Sequence, residues 1–164
     1  MSTPGVLDPF GWFEDFEVGM RMRHARRSTI GEVEGSFLAK QVMNTAQPHF
    51  NDDFLRDGPL GGGRLVFGLA TASTVYGLAS QDTAAHAVAE IGWDGMRFLA
   101  PVHHGDTLEA FTEVVATDPD TPDCDTPGAG VVTFRHWGRR QDGVVVFTGT
   151  RTTLVQRRPE ELHP

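Results

Sequence analysis

Seven histidines are spread over the chain, and one of them sits among the side chains that acid–base chemistry needs. His49 lies in Asn44-Thr45-Ala46-Gln47-Pro48-His49-Phe50-Asn51-Asp52, a stretch of amides, a hydroxyl, an imidazole and a carboxylate. An imidazole with an ordinary pKa of about 6.5 can take up a proton and return it near neutral pH. Pro48 restricts the residue before it and stiffens the loop. The same residues could instead stitch a loop together by side-chain-to-backbone bonds, and spacing alone does not separate the two. The other histidines offer less. His24, His86 and His163 lie in polar or terminal settings and read as surface residues. His136 falls in a strand and reads as half-buried packing. His103-His104 is a pair that could touch a metal ion, but no third ligand stands nearby in sequence. Cys124 is the single cysteine, so an intramolecular disulfide and a cysteine-based metal cluster are excluded, and it reads as a free surface thiol.

The elements around His49 follow from pattern. Phe10, Trp12, Phe13, Phe16 and Val18 form an aromatic opening that needs a surface to pack on, followed by a strand over 20–27. Thr29-Ile30-Gly31-Glu32 matches a capping box, and Ile30, Val33, Phe37 and Leu38 recur at helical spacing toward Met43-Asn44. Residues 44–63 read as loop, with one turn of helix near Asp52 to Leu55. Residues 64–81 hold apolar side chains on every face, which predicts a helix buried on most sides. Four strands follow, over 88–99, 107–116, 131–137 and 144–155, the last two joined by the hairpin signal Asp142-Gly143. Residues 118–130 form a Pro/Asp/Thr/Gly loop expected to be exposed and mobile. The economical solution is α+β: one antiparallel sheet wrapped around one buried helix. One sheet covers only part of such a helix, which predicts a homodimer or higher homo-oligomer.

Composition sets outer bounds. The chain has 164 residues, 39% hydrophobic and 22% charged, with net charge −8. That suits a single folded domain and argues against nucleic acid or an anionic membrane as the main partner. No apolar run reaches the roughly 20 residues of a membrane span. No basic region followed by an apolar core opens the chain, so a cytoplasmic protein is the default expectation. Residues 1–9 read as a flexible leader, 10–158 as the domain and 159–164 as a tail.

The His49 stretch resembles the active-site segment of the MaoC-like dehydratases, the R-specific enoyl-CoA hydratase group with the hot-dog fold. That family's motif runs Asp-x-Asn-Pro-Leu-His-x-Asp. Here Asn44 falls on the aspartate, Gln47 on the proline, Pro48 on the leucine, His49 on the histidine and Asn51 on the second aspartate. Phe13-Glu14-Asp15-Phe16-Glu17-Val18-Gly19 resembles the family's opening segment. Gly63-Arg64-Leu65-Val66-Phe67-Gly68 resembles the lead-in to its central helix. Arg97-Phe98-Leu99-Ala100-Pro101-Val102 with Gly105-Asp106-Thr107-Leu108 resembles its strand–turn–strand signature. The matches run in order over residues 10–155.

The resemblance implies a single hot-dog domain and a lyase that adds or removes water at the β-carbon of an enoyl or 3-hydroxyacyl thioester. The thioester would be of CoA or of an acyl-carrier protein, with no cofactor and no metal. It implies His49 as acid/base, Asn44 as the group that orients the nucleophile, and Gly68 as the backbone oxyanion donor at the helix N-terminus. Gly68 could equally serve close helix–sheet packing. Asn51, Arg64 and Phe67 fall in substrate-binding positions. Arg64 could hold a carboxylate or phosphate, or pair with Asp57. Asn44 is the departure, since an amide does not titrate near neutral pH. An Asn-Thr-x-x-x-His version is similar to the mesaconyl-CoA hydratase branch. Two alternatives stay open: a thioesterase or amine addition in the same pocket, and a non-catalytic acyl-thioester-binding partner subunit.

Overall fold

The computed structural model describes residues 10–56, 63–120 and 128–159. Cys124, Asp57 and His163 lie outside the described residues, as do the leader and most of the 118–130 loop. The chain runs through β1 (Arg21–Thr29), α1 (Glu32–Gln41), the short α2 (Asp52–Leu55) and the long α3 (Gly68–Thr83). Then come β2 (Ala87–Phe98), β3 (Thr107–Asp118), β4 (Ala129–Arg140) and β5 (Val145–Gln156). The five strands form one antiparallel sheet in the order β1-β3-β4-β5-β2. Asp142-Gly143 does close the β4–β5 hairpin, with Gly143 at φ +85°.

Alternation along β4 turns Gly130, Val132, Phe134, His136 and Gly138 inward, and α3 lies against this face. A Cβ on Gly138 would collide with Val75, and one on Gly149 with the Tyr76 hydroxyl, so two glycines let the helix sink into the sheet. α3 itself buries small residues, Ala70, Thr71, Ala72 and Ala79, with Val75 and Tyr76. Two of its threonine hydroxyls are satisfied within the helix: Thr74 donates to the Ala70 carbonyl and Thr83 to that of Ala79. Burial of Val75, Leu108, Val146 and Phe147 around it supplies one apolar cluster. The aromatic opening covers the other end of the same face. Phe16 packs edge-on against Phe134, among Val114, Val132 and Val155.

Between the two apolar clusters runs a buried polar seam. His24 Nδ1 lies 2.6 Å from an Asp82 carboxylate oxygen, and His24 Nε2 lies 2.7 Å from Thr112 Oγ1. The same hydroxyl lies 2.8 Å from His136 Nδ1. Arg151 donates to Thr153 Oγ1 and to the Thr83 carbonyl, and pairs with Glu90. The surface placement expected for His24 is therefore corrected: its side chain is buried. Plain alternation along β1 puts it there: Met22 and His24 share the inner face of the strand. His136 is fully buried rather than half-buried, and His86 stacks on Trp12 with ring centroids 3.5 Å apart.

Two further corrections concern α1. Thr29 does not cap it. Thr29 is the last residue of β1, its hydroxyl bonds that of Thr107, and Gly31 stands at the N-cap without a side-chain bond. The spaced apolar residues Val33, Phe37 and Leu38 point outward, while Gly35, Ser36 and Ala39 pack inward. The last helix begins at Gly68, four residues later than its apolar run suggests, because residues 64–67 are extended against the 102–104 turn.

Candidate functional site

Just past the end of α1, Met43 adopts a left-handed conformation (φ +53°) and lets the Asn44 N–H donate to the Ala39 carbonyl. Asn44 then accepts a 2.9 Å bond from the Ala46 N–H through its own side-chain oxygen. That Asx turn leaves the amide N–H₂ of Asn44 as its donor end. A 3₁₀ turn over Gln47–His49 follows, with Pro48 inside it. The Leu65 N–H donates to the Pro48 carbonyl at 2.9 Å, and the His49 ring answers with Nδ1 at 3.0 Å from the Leu65 carbonyl. A carbonyl only accepts, so Nδ1 carries the proton and Nε2 is left with its lone pair. Ser36 of α1 ties the same loop by donating to the His49 carbonyl at 3.4 Å. His49 is half-buried, and its ring stands edge-on to Phe67, centroids 5.6 Å apart.

Phe67 is the N-cap residue of α3 and offers no side-chain acceptor to the first turn, which also lacks acidic residues. The N–H groups of Gly68 and Leu69 therefore present the positive end of a 16-residue helix. Gly68 faces the Phe98 ring, and a Cβ there would come within 3.2 Å of it. Beside this N-terminus lies a cleft of about 290 Å³ lined by Leu38, Val42, Phe67, Leu69, Ala70 and Ser73. It is almost wholly apolar, so a charge developing beside Gly68 would face backbone N–H with little competing water.

Arg64 is the hub of a second, polar recess. Its guanidinium pairs with Glu32, lies 2.9 Å from Asp52 and donates to Ser36 Oγ at 3.1 Å. Asn51 caps α2 through its side-chain oxygen and gives its amide N–H₂ to Gln47 at 2.6 Å. His104 lines the recess with Arg64 and Asp52. Burial lowers its pKa below the ordinary imidazole value, and the charge of Arg64 pushes the same way.

The structure thus brings His49, Phe67 and Gly68 to one place, with Asn44 in the same loop. It gives Arg64 and Asn51 partners within the protein and sets them behind His49. Phe67 lines the apolar cleft. Tyr76 lines a neighbouring depression with Trp93 and Met96, and Phe37 borders a separate groove. Sequence reasoning passed over Ser36 and gave His104 only a metal role. Gly35, a helix breaker in mid-helix, was the signal: a Cβ there would sit 2.6 Å from His104 Nε2.

Comparison with known proteins narrows the chemistry. The profile of a family described as mesaconyl-CoA hydratase matches residues 11–157. A mesaconyl-CoA hydratase from Haloarcula marismortui is 33% identical, covering 95% of this chain and 44% of the relative. A putative MaoC domain dehydratase from Chloroflexus aurantiacus superposes with TM-score 0.80 at 25% identity, over 99% of this chain and 46% of that one. A Mycobacterium tuberculosis protein described as a double hot-dog fold shares the fold alone, with TM-score 0.70 at 21% identity over 94% of this chain and 46% of that one. The chain spans less than half the length of the curated relatives it matches.

Proposed function

Because the chain belongs to the mesaconyl-CoA hydratase family, we propose that it is a hydro-lyase acting at the β-carbon of an enoyl-CoA thioester, adding water or, in reverse, removing it. The observation that carries this reading is the tautomer of His49. Its Nδ1 is spent on the Leu65 carbonyl, which leaves a basic Nε2 beside an apolar cleft and an uncapped helix N-terminus.

In the forward direction a water oxygen attacks the β-carbon while its proton passes to His49 Nε2. The electron pair of the double bond moves onto the thioester, and the resulting enolate oxygen accepts the Gly68 N–H. His49 then returns the proton to the α-carbon, so one C–O and one C–H bond form and the imidazole ends neutral. The Asn44 amide N–H₂ donates to the water and holds its oxygen toward the β-carbon, a task that needs no titration. Phe67 forms a wall of the acyl cleft. Arg64 and Asn51 shape and brace the loop that carries His49.

A second copy of the unit is part of the reading. Leu69 on α3 and Ile91, Trp93, Phe98 and Leu99 on and after the edge strand β2 are exposed apolar residues around the cleft. Such a face favours a partner over water. Relatives twice this length support a second unit packed there, giving a homodimer in this chain.

The experiment offers short branched and unbranched enoyl-CoA thioesters to the purified chain and follows both enoyl absorbance and free thiol. Loss of enoyl absorbance with CoA still acylated is the expected result. Release of free CoA without a 3-hydroxyacyl product makes the protein a thioesterase, and no turnover with any of them makes it a binding partner.

A further inference from the structure

His104 has no part in the mechanism above, yet its surroundings are built around it. Both ring nitrogens are buried and have no hydrogen-bond partner among the described residues. The ring lies against Gly35, where a Cβ would come within 2.6 Å of Nε2 and 2.8 Å of Cδ2. Glycine inside a helix costs about 1 kcal/mol relative to alanine, so α1 gives up stability at the one place where the imidazole sits.

His104 and His49 also hang on the same two residues. The His104 N–H donates to the Arg64 carbonyl at 3.2 Å, and the His49 ring donates to the Leu65 carbonyl next along the chain. Leu65 bridges to His103 on one side and bonds Pro48 on the other. α1 closes the arrangement: Gly35 touches the His104 ring, and Ser36 holds both the His49 carbonyl and the Arg64 guanidinium. Anything that moves the His104 ring therefore pushes on α1 or on residues 64–65, and both hold His49.

The charges around His104 decide which form fits. Arg64 faces it from the lead-in to α3, His49 from the 3₁₀ turn, Asp52 from α2 and His103 from its own turn. Glu32 of α1 lies across the same recess, with its carboxylate on Arg64. Asp106, which receives the His103 N–H, completes the turn. Burial and the nearby Arg64 and His49 all lower the proton affinity of His104, and Asp52 opposes them only in part. The neutral ring fits the gap against Gly35. A protonated ring would sit desolvated beside a guanidinium and would have to leave it.

We propose that His104 is a positioning residue and the second titratable group of this site: neutral, it wedges α1 and residues 64–65 so that the His49 ring is held, and a proton on it releases that hold. This rests on the hydration reading for its kinetic consequence. Under it, acid inactivates the enzyme through two protons, one on the His49 base and one on His104.

The test is the pH–rate profile of kcat/KM for hydration, taken down to the pH at which far-UV circular dichroism begins to change. Wild type should show an acid limb with a slope approaching about 2 in the logarithmic plot, and His104→Gln a slope of about 1. His104→Gln should also lose about tenfold in kcat at neutral pH, since the loop is less well held. A slope of one in wild type, or an unchanged slope in the variant, overturns the proposal. NMR titration of the imidazole signals gives an arm independent of turnover and of whether the variant folds. In wild type the His49 signal should show two inflections, one shared with His104, and a single inflection overturns the proposal. Two inflections in a protein that hydrates no enoyl thioester support the coupling of the two rings and overturn the hydration reading instead.

Discussion

The two ends of α3 carry the same chemical groups in different settings. Near its C-terminal half, Asp82, His24 and Thr112 are linked carboxylate to imidazole to hydroxyl at 2.6 and 2.7 Å. That is the order of groups in a nucleophile triad. At its N-terminus, the His49 ring bonds a backbone carbonyl, with no carboxylate bonded to it among the described residues. By inventory the first region is the better catalyst. By access it is not: Thr112 is fully enclosed, and the chain of bonds continues from it to His136 inside the sheet. The donors can be ordered without a proton left over. His24 Nδ1–H gives to Asp82, the Thr112 hydroxyl gives to His24 Nε2, and His136 Nδ1–H gives to Thr112. Each of these links is spent on its neighbour, and the chain ends at His136 Nε2, which is enclosed in the core with no partner among the described residues. At His49 only Nδ1 has a partner among the described residues, and the ring stands against Phe67, which lines the apolar cleft. What separates the two regions is access: the seam is enclosed, while the loop of His49 stands beside a cleft, which is why the proposed chemistry is assigned there.

The largest effect expected from this contrast is on turnover. His49→Gln should lower kcat/KM for enoyl-CoA hydration by about three orders of magnitude, the scale of losing a positioned base. The urea unfolding midpoint should stay close to wild type. The converse follows for His24→Ala. It strips a partner from Thr112 and Asp82 inside the seam and opens a hole beneath β1. It should cost about 2–4 kcal/mol of stability by urea unfolding, while kcat per folded molecule is retained. A His24 variant of full stability that had lost turnover would exchange the roles of the two regions.

What sequence could see divides along the same line. The four C-terminal strands and the Asp142-Gly143 hairpin were legible because alternation and turn chemistry are local. His49 stood out as a candidate because its loop concentrates polar residues and resembles a known segment in order. The seam was not, because His24 stands in a mostly polar and charged strand that shows little apolar face, and its partners Asp82 and Thr112 are distant in sequence. Thr29 carries a good capping signature, but a hydrogen bond to Thr107, distant in sequence, keeps it in the strand. α1 misled for a related reason. Its apolar stripe is real, yet close approach to His104 and the His49 loop is possible only along its small-residue face, so Val33 and Phe37 are left outside.

The smallest effect expected is a pH dependence that belongs to the seam. Burial holds the His136 pKa well below the ordinary imidazole value, and the neighbouring charge of Arg151 acts in the same direction. In the unfolded chain His136 recovers a pKa of about 6.5. Below that pH the unfolded state binds a proton that the folded state refuses. Stability is therefore fully present above about pH 6.5 and declines as pH falls toward the depressed folded value, by at most about 1.4 kcal/mol per pH unit. Urea midpoints measured at intervals from pH 7.5 to 5 should fall accordingly. His136→Leu should flatten the decline at the acid end, even though it leaves Thr112 a partner short and lowers the plateau. If the variant declines as steeply as wild type, the acid sensitivity comes from other groups, and the seam would then be no more sensitive to acid than the rest of the sheet.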